Sequence, residues 1–330
     1  MPPLFSLAEL KAAQDVVYAQ MAPTAQISWP QLSKRIGAEV VVKHENHAPT
    51  GAFKVRGGIT LMDWLVAHHP DARGIITATR GNHGQSQARA ATAKGLIAKI
   101  YVPRGNSAEK NDAMRAYGAQ VIEFGADFDE AKSEAMRVST AENLFMVPPF
   151  HPELLRGVAT YGLELFTAHP DLDVVFVPIG CGSGICGTIA ARDALGLKTE
   201  IVGVVSENAR CVKLSVESGD LVETNSAHTF ADGMAVRVPV QSAFDIYSRK
   251  AERIVSVSDP EIANAIRVYF RDIHNLAEGA GAAPLAALLQ ERENLQGKKV
   301  GLILSGGNID TDWFATILQG GVPEVARMAK

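Results

Sequence analysis

The chain of 330 residues predicts an α/β protein of two modules, each built on a parallel sheet, with a crevice between them. Three observations carry that expectation. The length exceeds what one small core needs, so two domains or one large α/β unit follow. Strand and helix signals alternate from about Gly74 onward, the order that builds parallel sheets through helical crossovers. A proline-rich stretch, VPPFHPEL, then separates one alternating series from the next.

The first element is a helix over 6–20. Leu7, Leu10, Val16 and Val17 fall at helical spacing, and Ser6 with Glu9 three residues on has the pattern of an N-terminal capping box. EVVVKHEN (39–46) is an apolar run of strand length, expected to join the second module. ITLMDWLVAHH (59–69) predicts a helix closed by Pro70. In the first module GIITAT (74–79), AKIYVP (98–103) and AQVIEFG (119–125) are strands, with helices over 84–95, 108–118 and 128–142. This βαβαβα unit ends near Pro148. The second module holds a helix near 155–168, the strand DVVFVPIG (173–180), a helix over 185–196 and the strand TEIVGVV (199–205). Helices over 259–274 and 280–292 and the strand KVGLILS (299–305) complete it. The expected division is 1–73 with 149–330 for the larger domain and 74–148 for the smaller.

Composition narrows the function classes. Hydrophobic residues make up 47% and charged ones 21%, ordinary for a soluble globular chain. Net charge is 32 − 36 = −4 with no basic block, which argues against nucleic acid or an anionic membrane as the main partner. Cys181, Cys186 and Cys211 form no Cys-x-x-Cys pair, so no disulfide scaffold is implied. No apolar run approaches a membrane span, and MPPLFSLAELKAAQ lacks the features of a signal peptide. A reducing cytoplasm is the expected compartment.

Four stretches hold the residue types that chemistry needs. PTGAFKVRGG (49–58) sets Lys54 behind a Pro-Thr-Gly turn, between Phe53 and Val55. Most lysines keep the ammonium in water above a buried stem. Here the aromatic neighbour and apolar setting favour a desolvated amine of lowered pKa, the form that makes Schiff bases. VPIGCGSGICG (177–187) runs from a strand through glycines 180, 182, 184 and 187 into a helix. A plain strand-to-helix turn needs one or two glycines. Four, with backbone N–H groups aimed along a helix N-terminus, predict a phosphate cradle. Gly182 to Gly187 also reads G-x-G-x-x-G, with Glu207 after the next strand, so a nicotinamide dinucleotide stays open as a rival ligand. TATRGNHGQS (77–86) puts Asn82 and His83 at a strand end, where parallel sheets bind ligands; both could equally cap the following helix. GLILSGGNID (301–310) delivers Ser305 from a buried strand into two glycines. Its hydroxyl is a turn residue or, beside an aromatic nitrogen, a hydrogen-bond partner.

A lysine with an aromatic neighbour, an asparagine in a strand-end turn, a glycine phosphate cup and a serine after a buried strand suit one ligand, pyridoxal 5′-phosphate. In these stretches, with ADGMAV (231–236) and AEGAGAA (277–283), the sequence resembles the fold-type II pyridoxal-phosphate enzymes, in the threonine/serine dehydratase and serine racemase branch. The six stretches occur in the family's order over nearly the whole chain. The resemblance implies two parallel-type α/β domains of the tryptophan synthase β-subunit-like architecture, with the cofactor in the cleft between them, and a homodimer. It implies Lys54 as Schiff-base lysine and general base, Phe53 against the cofactor ring and Asn82 on the ring hydroxyl. The backbone of Gly180, Cys181, Gly182, Ser183 and Gly184 is implied to hold the phosphate, and Ser305 the pyridine nitrogen. Gly233 and Glu278 lie in matching segments and are carried over as cofactor-site residues, although a carboxylate at 278 is equally a helix-start residue. Arg80, Gly81 and His83 flank Asn82 in the turn implied to receive the substrate carboxylate.

The implied reaction is α,β-elimination from a β-hydroxy-α-amino acid, giving a 2-oxo acid and ammonia. Threonine or serine is the default substrate, with 3-phenylserine and 3-hydroxyaspartate open because Arg80 and Phe150 reshape the pocket. A β-replacement synthase or racemase of the same fold, an NAD-dependent dehydrogenase and a non-catalytic binding protein are the alternatives. Departures from the family's pattern bear on them. Arg80 stands where this branch has a small residue, the second acid/base of the racemase, which argues against two-base racemisation. Val205 and Cys211 stand at the racemase's metal carboxylates, so no metal is expected. Ala52 replaces the usual serine before Phe-Lys, and Gly157-Val-Ala-Thr160 replaces Gly-Gln-Gly-Thr. Val-Arg-Gly after Lys54 replaces the Asp-Arg of many synthases.

Overall fold

Val40, Val41 and Val42 show how the sheets are made. Val40 and Val42 pack into one core and Val41 into another, the period of two that a strand covered on both faces requires. Val174 and Phe176 alternate with Val175 and Val177 in the same way. The computed structural model of the chain describes residues 3–325. It begins with α1 (Leu7–Tyr18), β1 (Gln26–Ser28), α2 (Pro30–Ile36), β2 (Glu39–His44) and α3 (Lys54–His68). There follow β3 (Gly74–Ala78), α4 (Asn82–Ala93), β4 (Ile97–Val102), α5 (Ala108–Ala116), β5 (Gln120–Glu123), α6 (Phe128–Glu142) and β6 (Phe145–Met146). The chain continues through α7 (Pro152–Ala168), β7 (Val174–Pro178), α8 (Ser183–Ala194), β8 (Glu200–Ser206), α9 (Cys211–Ser218), α10 (Gln241–Lys250) and β9 (Arg253–Val257). Last come α11 (Asp259–Ile273), α12 (Gly279–Glu291), β10 (Lys299–Leu304) and α13 (Thr311–Leu318).

Two α/β domains result. One sheet has the order β5-β4-β3-β6, all parallel. The other has the order β1-β2-β10-β7-β8-β9, parallel except for β1. The strand at 39–46 joins this larger sheet, as its sequence suggests. α1 starts with the capping box: Glu9 N donates to Ser6 Oγ at 3.2 Å, and Ser6 N to Glu9 Oε2 at 2.8 Å. No helix among the described residues is long and apolar enough to cross a membrane.

The sequence pattern places the start of α3 too late. The helix begins at Lys54 rather than near Ile59, because Gly57 and Gly58 permit close packing instead of breaking it. A Cβ on Gly57 would lie 2.7 Å from Leu154 O, and one on Gly58 would lie 2.4 Å from Ser86 Oγ. Periodicity gives no warning of β1 and β6, three and two residues long. α10 also goes unannounced, although Ala243, Phe244 and Tyr247 form its buried face.

The topology decides where chemistry can sit. β2, β10 and β7 are adjacent and parallel, so the segments after them emerge on one side of the sheet. Those segments carry Lys54, Ser305 and the turn at 180–184, and β3 of the smaller sheet delivers Asn82.

Candidate active site

Lys54 opens α3, and the segments after β3 and β10 are fastened to it. Ser86 Oγ donates to Lys54 O at 2.6 Å, and Phe53 N donates to Ser305 O at 3.0 Å. Ala52 and Gly306 form an antiparallel bridge. The lysine Nζ lies 4.9 Å from the Phe53 ring centroid and has no hydrogen bond or ion pair among the described residues. Burial pushes its pKa down, against the opposing pull of Cys181 and Glu278. A primary amine biased toward its neutral form is a nucleophile.

Phe53 is set by Tyr161, whose ring meets it edge-on at 5.9 Å. Tyr161 OH also donates to Gly184 O at 2.7 Å, linking this ring pair to the glycine turn. Gly182 precedes α8 at φ +96°, the left-handed region that glycine enters freely. The N–H groups of Cys181, Gly182, Ser183 and Gly184 donate to no protein acceptor among the described residues. A Cβ built on Gly184 would stand 3.7 Å from Phe53 Cζ. Free donors at the N-terminus of a 12-residue helix, against the ring beside a buried amine, make a turn that suits an anionic group such as phosphate. Gly233 O closes its outer side, only 2.1 Å from where a Cβ on Gly180 would lie.

The turn before α4 has the same character. The N–H groups of Asn82, His83 and Gly84 have no protein acceptor among the described residues. Asn82 Nδ2 donates to the Glu278 carboxylate at 2.8 and 3.0 Å, and Asn82 Oδ1 accepts from Asn308 Nδ2 at 2.7 Å. Burial, and secondarily Lys54, push His83 down to about 3, so its imidazole is neutral at working pH. Its Nε2 is buried without a partner. The Ser305 hydroxyl also makes no hydrogen bond among the described residues.

Burial pushes the Glu278 carboxyl up to about 7, although Lys110 and the Asn82 amide favour its charged form. The folded chain therefore binds this proton more tightly than the unfolded chain does. Its contribution to stability is complete below the ordinary value of 4.5 and is lost as pH rises through about 7. The displacement corresponds to on the order of 3 kcal/mol. Urea titrations of the cofactor-free protein at pH 5 and pH 8 will show this loss, and Glu278→Gln will flatten it.

The structure thus brings Phe53, Lys54, Asn82, His83, Gly180, Cys181, Gly182, Ser183, Gly184, Gly233, Glu278 and Ser305 to one region. The Arg80 guanidinium makes no hydrogen bond or ion pair among the described residues, while the Arg80 carbonyl accepts from Asn106 Nδ2 at 3.3 Å. Gly81 lies against the stem of Lys110. Cys211 Sγ donates to Val236 O at 3.1 Å and Val205 is buried. No group of three or more His, Cys, Asp or Glu among the described residues is placed to hold a metal ion. Sequence reasoning missed Tyr161, Ser86 and Asn308. The last two lie inside stretches already singled out, whereas Tyr161 has no local signal.

Fold and site together define a pyridoxal-phosphate enzyme of fold type II, and known proteins agree. Residues 17–306 match the family model described as "Pyridoxal-phosphate dependent enzyme". The L-threonine ammonia-lyase of Thermotoga maritima is 34% identical over 325 residues, covering 98% of this chain and 80% of that one. The serine racemase of Schizosaccharomyces pombe is 33% identical over 288 residues, covering 87% and 89%. The processed form of threonine deaminase isoform 2 from Solanum lycopersicum superposes with a TM-score of 0.87 at 29% identity, over 97% of this chain and 95% of that one. The chain belongs to the pyridoxal-phosphate-dependent enzymes, in the branch of threonine ammonia-lyases and serine racemases. It is an enzyme of the ammonia-lyase type.

The residues present fit that cofactor. An unpaired buried amine, a free serine hydroxyl and a row of free N–H groups at a helix start are what an aldehyde, a pyridine nitrogen and a phosphate need. The dinucleotide reading gives way to the family match over residues 17–306. The last glycine of its motif, Gly187, packs helix on helix, where a Cβ would lie 2.9 Å from Val158 Cγ1.

Proposed function

We propose that the protein eliminates water from a β-hydroxy-α-amino acid, threonine or serine first, and that a water then hydrolyses the released enamine to a 2-oxo acid and ammonia. One observation carries the reading: Lys54 is a buried, unpaired amine beside Phe53 and close to the free donors of the 181–184 turn. Bound pyridoxal phosphate supplies an aldehyde and a conjugated ring that acidify the Cα–H bond of an amino acid joined to it. The chain does the rest. Lys54 holds the cofactor covalently, and its amine, when freed, takes the substrate's Cα proton. Phe53 packs on the ring, Asn82 serves the ring hydroxyl, and the N–H groups from Cys181 to Gly184 hold the phosphate. Ser305 meets the pyridine nitrogen. A hydroxyl there, unlike a carboxylate, does not enforce protonation, which suits elimination better than transamination. The turn that begins at Arg80 and Gly81 takes the α-carboxylate through the free N–H groups of Asn82, His83 and Gly84.

The threonine ammonia-lyase relatives support elimination. The serine racemase relative favours a second reading, racemisation, against which Arg80 replaces the small residue expected of a second base. We assign residues 1–73 and 149–330 to the larger domain and 74–148 to the smaller, and place a homodimer in the cytoplasm. Both diastereomers of threonine, 3-phenylserine and 3-hydroxyaspartate, and both enantiomers of serine, will be incubated with holoenzyme and assayed for ammonia and 2-oxo acid. Equimolar release of both from at least one substrate is expected. Interconversion of enantiomers without ammonia assigns the racemase reading, and silence across the panel overturns both.

A further inference from the structure

A buried cation joins the two domains beside the cleft. Lys110, in the first turn of α5, is only 6% exposed. Its Nζ donates to Asp232 Oδ2 at 2.5 Å and lies 3.9 Å from Asp310 Oδ1. The Trp313 ring centroid is 5.7 Å away. Burial works against the ammonium, but Asp232, Asp310 and Glu278 outweigh it and hold the charge. The stem faces the other way: a Cβ on Gly81 would stand 3.1 Å from Lys110 Cδ.

The same helical turn docks at two further points. Ser107 Oγ donates to Asp310 Oδ1 at 2.7 Å, and Thr311 N donates to Glu109 Oε1 at 3.0 Å. Asn106, just upstream, donates to Arg80 O. Asp232 is followed by Gly233, whose carbonyl abuts Gly180. Lys110 thus connects the turn before α4 with the segment that closes the phosphate cradle, and it feels the charge of Glu278, which holds Asn82. Mere adhesion between domains is met by exposed polar contacts. A buried lysine is costly unless paired, so its place here calls for a task that depends on its position.

We propose that Lys110 is a positioning residue: anchored on Asp232 and Asp310 of the larger domain, it braces Gly81 and holds the Asn82–Gly84 N–H groups in the arrangement that takes a substrate carboxylate. Docking of the domains and the shape of the substrate turn are then a single event. The inference rests on the proposed function only for what that turn binds.

The test uses holoenzyme carrying Lys110→Met, Asp232→Asn or both. Methionine keeps an unbranched stem against Gly81, and Asp232 is partly exposed, so its amide variant guards against a simple failure to fold. The cofactor absorbance will be unchanged, KM for the best amino acid will rise about tenfold, and kcat will change by less than about threefold. Amide exchange across 79–86 will accelerate. The double variant will be no worse than either single one, because both remove the same interaction. Lys110→Arg will recover part of the KM. Wild-type KM with unchanged exchange overturns the proposal, as does a fall in kcat with KM and exchange untouched. The exchange measurement needs no turnover. If no hydroxy amino acid yields ammonia, the brace is still tested and the substrate reading alone fails.

Discussion

Lys54→Ala will lower turnover by about 10^4-fold or more, and the purified variant will lose the violet absorbance of covalently held cofactor. The loss has two sources. General-base help is worth about 10^2 to 10^4 in rate, and a nucleophile that holds the cofactor adds its own share. Lys54→Arg separates both from packing. Arginine keeps a long stem and a positive charge, but its guanidinium does not deprotonate in proteins and cannot act as nucleophile or base. The same loss in both variants, with circular dichroism unchanged, assigns the effect to the amine. Near-normal turnover in Lys54→Arg would place the base elsewhere.

Arg56→Met will have the largest effect on stability, a loss of about 3–5 kcal/mol by urea titration. Arg56 lies two residues after Lys54 and is fully buried. Its Nε and Nη2 donate to Glu45 at 2.8 and 2.9 Å. Nη1 reaches Glu164 Oε1 at 2.6 Å and Thr160 Oγ1 at 3.0 Å. Lys43, itself buried, pairs with Glu164 and donates to Thr24 O at 2.8 Å. Two cations and two carboxylates are thereby satisfied in the interior, and removing one cation strands a buried anion. The cost depends on pH in a defined direction. Burial would raise the Glu164 carboxyl, but Arg56 and Lys43 prevail and hold it below its ordinary 4.5. Its contribution is present above that value and is lost as pH falls through the lowered one. The deficit of Arg56→Met will therefore shrink in acid. Because this cluster pins the first turn of α3 to β2 and α7, its loss will also loosen Lys54.

Much of this was legible in the chain. The strands at 74–79, 98–103 and 299–305 declare themselves because apolar β-branched residues fill both faces of a parallel sheet, and α6 matches its sequence limits of 128–142. The site stretches stood out because phosphate and amine chemistry demand unusual residues at strand ends. What stayed hidden depends on long-range packing. Gly57 and Gly58 look like breakers until Leu154 and Ser86 are seen against them. Lys110 looks like any surface lysine of a polar helix, because Asp232 and Asp310 are far off in sequence. Tyr161 and Glu164 sit in an apolar helix whose pattern says only that it is buried.

In the proposed function the amine of Lys54 is joined to the cofactor. Reducing the holoenzyme with borohydride, digesting it and mapping the modified peptide by mass spectrometry tests that directly. A phosphopyridoxyl group on the peptide containing Lys54, and on no other lysine, is the expected result. The group on a different lysine, or no modified peptide at all, would contradict the site described here.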